Sequence, residues 1–282
     1  MKKPQWITAA VVAVMVVCIY STTTNQIFGN NAKIVKESSI PEATAITIDS
    51  ILFHAKENLS STQASRLNFL EKSITRGDVL NQKIHVYHQL ARFWSDSVSV
   101  FEPYAWYTAE SARLVNSENS LTFAAHLFLD NLKGEENPAL KQWKALQAKD
   151  LFERSLKINP ANDSSEVGLG MVYLYGGLGT PMEGIQKIRN VANNHPDNIY
   201  AQMALGHASV TSGQFDKAVE RFEAVLHLQP NNLEAILSLA DTYERSGDKL
   251  KAVDWYKKSL PAIKIAGLKE EVERRIAELE KK

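Results

Sequence analysis

The feature that most constrains this chain is an internal repeat near its C-terminal end. Residues 199–230 align with the stretch that begins at residue 233, at an offset of 34 positions. The matched pairs are Leu205 and Leu239, Gly206 and Ala240, Gly213 and Gly247, Ala218 and Ala252, and Phe222 and Tyr256. A recurring unit of this length cannot bury its apolar face alone, so it must stack on its neighbours.

Each repeat is predicted to form two helices joined by a tight turn. Apolar residues recur at steps of three and four positions through both halves, which is the period of an amphipathic α-helix. Gly213 and Gly247 stand where the first helix must reverse, and such a position favours a left-handed residue. Pro230 and the two asparagines after it predict the end of one helix and the cap of the next.

These two units resemble the tetratricopeptide repeat (TPR), a helix-turn-helix with small and large residues at fixed places. The resemblance implies an all-α, TPR-like helix-turn-helix solenoid, right-handed and with a concave inner face. It extends to three clearer units in residues 163–265 and to degenerate units in residues 84–162, with an insertion around residues 133–143. Residues 43–83 predict helices without the signature, and residues 266–282 predict a charged helix that caps the open end.

A glycine-rich loop, residues 176–179, lies inside the first of the three clearer units. A nucleotide-binding loop would need a preceding strand and a helix directly after it, whereas these glycines follow a helix with repeat spacing. The pattern therefore favours a structural loop. Thr180, Pro181 and Glu183 predict the start of the following helix, with threonine as the cap and proline at the first helical position.

The N-terminal 42 residues predict a membrane attachment. An apolar run without charge extends from Trp6 to Tyr20, and the hydroxyl residues after it lengthen the run toward the roughly 20 residues of a span. Residues 6–24 are therefore predicted to be a single transmembrane anchor, and residues 1–5 its basic cytoplasmic start. A cleaved signal peptide and a lipid anchor at Cys18 are the alternatives, although the small residues that cleavage requires are missing. Residues 25–42 are a predicted polar tether, which places the repeats on the exported, periplasmic-type side.

Composition and motifs argue against several classes of function. Lys and Arg number 32 against 32 Asp and Glu, so the chain lacks the basic footprint of a nucleic-acid-binding protein. A single cysteine leaves no disulfide framework and no multi-cysteine metal site. His85 and His88 share a helix face, but none of the seven histidines stands in a metal-ligand motif such as H-E-x-x-H, and no nucleophile motif or phosphate loop occurs. We therefore predict no catalytic residue, no cofactor and no metal, and a protein that is not an enzyme.

The resemblance also implies a binding surface, because in this family the first helix of each unit lines the concave groove. The transferred positions form an apolar and aromatic middle and a mixed, acidic C-terminal end. The predicted partner-binding residues are Val167, Met171, Leu174, Tyr175, Tyr200, Met203, His207, Val210, Leu237, Asp241 and Glu244. Matching positions elsewhere carry Glu234, Arg245, His85, His88 and Arg92. The lysine, asparagine and arginine set with which some TPR proteins clamp a terminal carboxylate is absent, so that recognition is not expected.

An exposed apolar groove rimmed by charge is typical of a partner site. We therefore predict a membrane-anchored scaffold of the cell envelope that holds a segment of another protein or peptide. One alternative is a self-associating structural protein whose helices in residues 43–76 pair between copies. A second alternative is an enzyme that uses the glycine-rich loop or the histidines.

Overall fold

The computed structural model describes residues 46–76 and 79–281. All regular secondary structure in this part of the chain is helical, and helix pairs stack into an all-α solenoid, as predicted. The predicted anchor at residues 6–24 and tether at residues 25–42 lie outside the described residues. No helix of the described ranges is both long and apolar enough to cross a membrane.

The helices are numbered from the first described one. They are α1 (Ile48–Glu57), α2 (Ser61–Arg76), α3 (Leu80–Arg92), α4 (Phe101–Val115), α5 (Glu118–Leu132), α6 (Pro138–Ile158), α7 (Asp163–Tyr175), α8 (Pro181–Asn194), α9 (Ile199–Thr211), α10 (Phe215–Leu228), α11 (Leu233–Ser246), α12 (Lys249–Ser259) and α13 (Ala266–Glu280). A π-helical turn, Phe93–Val98, continues α3, and a 3₁₀ turn, Leu260–Ala262, follows α12.

Five antiparallel pairs form the solenoid: α3–α4, α5–α6, α7–α8, α9–α10 and α11–α12. We call the first helix of each pair the A helix and the second the B helix. The B helices α6 and α10 also pack against the A helix of the following pair, and the A helices α5, α7, α9 and α11 contact one another in succession. Helix α2 packs on α3, and α13 packs on α12. The A helices therefore lie side by side and form one surface.

A repeated proline turn precedes each of the last three pairs. The backbone N–H groups of Asn162, Asn198 and Asn232 donate to the carbonyl three residues earlier, at 3.1, 3.0 and 3.0 Å. The side chain of each asparagine then accepts from the backbone N–H three residues later, at 2.9 Å in every case. A proline in the turn cannot continue the preceding helix, and the asparagine caps the next one. Each A helix from α7 to α11 therefore has its start fixed by local sequence.

The turns inside the pairs also follow the predicted chemistry. Gly213 and Gly247 have φ angles of 72° and 91°, which confirms the left-handed conformation expected of them. Thr180 accepts from the backbone N–H of Glu183 at 3.4 Å, and Pro181 is the first residue of α8. This confirms the predicted N-terminal cap of that helix.

The insertion predicted around residues 133–143 is mostly helical. Helix α5 ends at Leu132 and the 21-residue α6 begins at Pro138, so the extra residues lengthen α6 at its N-terminus. Lys144 of α6 is 2% exposed, and its Nζ lies 2.6 Å from Asn131 Oδ1 and 2.9 Å from Glu102 Oε1. The same ammonium group also donates to Glu135. One buried lysine thus ties α4, the end of α5 and α6 together.

Close approach of helices depends on glycines that face aromatic rings. A Cβ atom on Gly206 of α9 would lie 2.4 Å from the ring of Phe222 on α10. A Cβ atom on Gly168 of α7 would lie 2.3 Å from the ring of Phe152 on the preceding α6. The first contact lies within a pair and the second between pairs. The small residue and the aromatic residue of the repeat pattern are therefore packing partners.

The glycine–ring contact is tested by Gly206→Ala. Alanine has the higher helix propensity, but here we expect a loss of about 1–3 kcal/mol in the free energy of unfolding because the ring of Phe222 must move. Gly267→Ala in α13 is the matched control, since nothing lies within 4 Å of its added Cβ. That variant should be neutral or more stable by up to about 1 kcal/mol. Urea denaturation measures both, and equal shifts of the two variants would contradict the contact.

Candidate functional site

The A-helix face, the surface formed by α3, α5, α7, α9 and α11, carries all the residues predicted to bind a partner. Its middle is closed rather than open. Val167, Met171, Met203 and Val210 have exposures of 0%, 4%, 5% and 6%. Val167 and Met171 belong to the core cluster of α4–α9, and Met203 and Val210 to that of α9–α11. The expected apolar groove is therefore not available at these four side chains, because the neighbouring helices already cover them.

Three further predicted residues, Leu174, Tyr175 and Tyr200, are partly buried and pack against the same core. The ring of Tyr200 meets the ring of His126 edge-on, with centroids 5.5 Å apart. Burial, with smaller contributions from Asp130 and Tyr175, raises the pKa of Tyr200 far above its usual value. Burial also raises the pKa of Tyr175. Both phenols therefore stay neutral and contribute packing rather than charge.

His126 on α5 belongs to this aromatic middle, although it is not among the residues predicted to bind a partner. Its Nε2 lies 2.9 Å from Ser164 Oγ, and its ring lies 5.1 Å from the ring of Phe152. Burial lowers the pKa of His126; Lys133 acts in the same direction and Asp130 opposes it. The imidazole is therefore neutral near pH 7 and is held as part of the packed surface.

An open pocket lies between α9 and α11, with a volume of about 300 Å³. It brings together the predicted residues His207, Leu237 and Asp241 with Glu234, and Val210 also borders it. The two carboxylates are exposed and only loosely engaged within the chain. His207 Nε2 lies 3.5 Å from Glu234 Oε1, and the shortest ion-pair distance of Asp241, to Arg245, is 3.9 Å. The pocket therefore offers negative charge around an apolar side chain.

Glu244, unlike Glu234 and Asp241, is held by close contacts within the chain. Tyr256 donates to its Oε2 at 3.0 Å, and Arg275 of α13 binds both of its carboxylate oxygens. Its side chain thus holds the capping helix against α11 and α12. The structure assigns this predicted groove residue a role in the C-terminal cap.

A second pocket of the A-helix face lies at the other end of the solenoid, with a volume of about 490 Å³. His85, His88 and Arg92 of α3 line it together with Tyr104 of α4 and Phe123 of α5. His88 Nε2 lies 2.7 Å from Ser111 Oγ, whereas the Arg92 guanidinium forms no ion pair within the described ranges. Phe123 is 61% exposed. Sequence reasoning missed Phe123 because only the small residues beside it fit the repeat pattern.

No cluster of three or more histidine, cysteine, aspartate or glutamate side chains in the described part of the chain could hold a metal ion. The glycine-rich loop likewise follows helix α7 and not a strand. What the A-helix face offers is therefore two open pockets of opposite charge on either side of a packed apolar middle.

Comparison with known proteins agrees with this architecture. Residues 203–264 match the tetratricopeptide repeat family, which covers α10, α11, α12 and most of α9. These residues are thus tetratricopeptide repeats, as the sequence pattern predicted. Proteins built from such repeats are typically non-enzymatic scaffolds that bind other proteins or peptides.

Individual relatives are distant. Over 192 residues the chain is 27% identical to the RNA polymerase-associated protein CTR9 of Saccharomyces cerevisiae; the match covers 58% of this chain and 17% of that protein. The chain thus spans about a sixth of the length of the curated relative it matches. The solved structure of PilW, a widely conserved type IV pilus biogenesis factor, is similar with a TM-score of 0.50 at 20% identity, covering 71% of this chain and 86% of that one. YrrB, a TPR protein with an unusual peptide-binding site, gives 0.42 at 18%, covering 73% and 97%.

The partly buried His126 predicts a dependence of stability on pH. A histidine whose pKa is lower in the folded state than in the unfolded state costs stability as pH falls below its ordinary value of about 6.5. We expect the free energy of unfolding of the wild type to fall more steeply between about pH 7 and pH 5 than that of His126→Gln. His227→Gln, which removes an exposed histidine, is the control and should keep the wild-type slope. Parallel slopes for all three proteins, measured by urea denaturation, would contradict the prediction.

Proposed function

We propose that this protein is a membrane-anchored scaffold whose A-helix face holds a segment of a partner protein. The observation that supports it most directly is the α9–α11 pocket, where His207, Leu237 and Asp241 surround an accessible space beside Glu234. The closed middle shifts the proposed contacts away from Met171 and Met203 and toward the two open pockets.

The charges of the two pockets define the partner. Glu234 and Asp241 at the α9–α11 pocket favour basic side chains. Arg92 lines the second pocket, which is formed by α3, α4 and α5 and is called here the α3–α5 pocket, and it favours an acidic side chain. Leu237 and Phe123 supply the apolar contact at the two places. A segment that is basic at one end and acidic at the other is therefore selected in one orientation, since electrostatic complementarity fixes register.

A site-specific photo-crosslinker at position 207 tests the α9–α11 pocket in cells. We expect partner adducts at this position but not at position 250, which replaces an exposed leucine of α12. Adding Glu234→Lys and Asp241→Lys should reduce the adducts by at least about fivefold because two attractive charges become repulsive. Glu270→Lys with Glu273→Lys in α13 makes the same charge change elsewhere and should leave them intact. Adducts that survive the reversal at the pocket would refute this binding mode.

The anchor is part of the proposal and rests on the apolar run from Trp6 to Tyr20. Lysine at Val12 and Val16 should release the full-length protein from membranes washed at alkaline pH, because each charge costs about 2.5–3.5 kcal/mol within a span. Lysine at Ile34 and Val35 adds the same charge in the predicted tether and should leave the protein in the membrane pellet. Retention of both variants, or release of the wild type, would contradict an anchor at residues 6–24.

A further inference from the structure

A cleft of about 810 Å³ lies between the α7–α8 pair and the α9–α10 pair, apart from the pockets of the A-helix face. It opens along the edge of the solenoid that carries the turns between the A helix and the B helix of each pair. Met182 and Ile185 of α8 contribute apolar surface, and the buried Leu205 of α9 lies beneath them. Met182 is 67% exposed, so the cleft presents a large apolar side chain to solvent.

The charged groups of the cleft are mostly positive. Arg189, Lys217 and Arg221 line it against a single carboxylate, Glu220. Arg221 donates to the neutral amide oxygen of Gln202 at 2.8 Å, and Lys217 to that of Gln214 at 2.6 Å. None of the three cations has a carboxylate partner among the residues that the structure describes. Elsewhere on this solenoid, exposed cations such as Lys56, Lys251 and Lys257 do form ion pairs.

We propose that this cleft is a second docking site, which takes an acidic amphipathic segment of another protein. Apolar side chains of the segment would cover Met182 and Ile185, while its aspartates or glutamates would meet Arg189 and Lys217. Apolar surface flanked by unpaired charge of one sign is the complement of an amphipathic segment of the other sign. The cleft shares no lining residue with the two pockets of the A-helix face, although Leu174 and Tyr175 of that face also line it, and it would allow the scaffold to hold two partners at once.

The chain itself does not supply the required charge in its predicted tether. Residues 25–42 contain two lysines and two glutamates, so they carry no acidic excess. Helix α13 mixes both signs and pairs several of its acids internally, for example Glu271 and Glu278 with Arg274. The complementary segment is therefore assigned to a different protein.

Fluorescence anisotropy with the full-length protein and two labelled peptides tests the site. Both peptides are about 14 residues long with leucines at helical spacing; one carries glutamates between them and the other carries lysines at the same places. We expect the acidic peptide to bind at least about fivefold more tightly than the basic one, and more weakly as salt rises.

The protein variants make the test specific to the cleft. Arg189→Glu with Lys217→Glu should weaken binding of the acidic peptide at least about fivefold. Lys157→Glu with Lys264→Glu, a matched change at two exposed lysines outside the cleft, should not. Equal binding of the two peptides, or an unaltered affinity in the cleft variant, would overturn the proposal. A concentration-dependent mass in light scattering that disappears in the cleft variant would assign the cleft to a second copy and would overturn it as well.

Discussion

The packing of aromatic rings onto glycine backbone is the contact on which the stacking of this solenoid depends. At Gly168 and Gly206 a ring occupies the space where any other residue would place its Cβ. Gly170 continues the pattern, since a Cβ there would lie 2.7 Å from Ile188 and 2.8 Å from the carbonyl oxygen of Gly184. Interiors packed this closely have little room to absorb added volume. The distance between the helices therefore depends on the absence of a Cβ atom at these glycines as well as on the side chains that pack against them.

The same tight stacking explains which expectations the structure upheld. The turn glycines, the proline–asparagine turns and the cap at Thr180 were predictable, because each depends on residues close together in sequence. The open groove at Met171 and Met203 was not, because burial depends on how near the next helix comes. The link from Glu244 to Arg275 joins residues 31 positions apart, and the burial of Lys144 depends on Glu102 of another helix. Residue type alone predicts neither.

The proposed partner contacts accordingly lie at the edges of the A-helix face and not in its apolar middle. In the middle of the A-helix face, the rings of Tyr200 and His126 pack against each other and against the core. Accessible chemistry is found where packing leaves charge without strong partners: at Asp241, at Arg92 and at Arg189. The proposed scaffold would select partners mainly by the sign and spacing of charge, with a few exposed apolar groups such as Phe123 and Met182 adding contact area.

The core is divided along the chain, and the described tryptophans are divided with it. Trp94, Trp106 and Trp143 lie in or against the clusters built from α2 to α9. Trp255 packs instead on the cluster of α9–α11, and the Lys258 ammonium lies 3.8 Å from the centroid of its ring. Contacts in a stacked array are mainly between neighbours, so the two ends can lose structure at different points. The fluorescence of the tryptophans in the two regions can therefore report which end of the solenoid loses structure first.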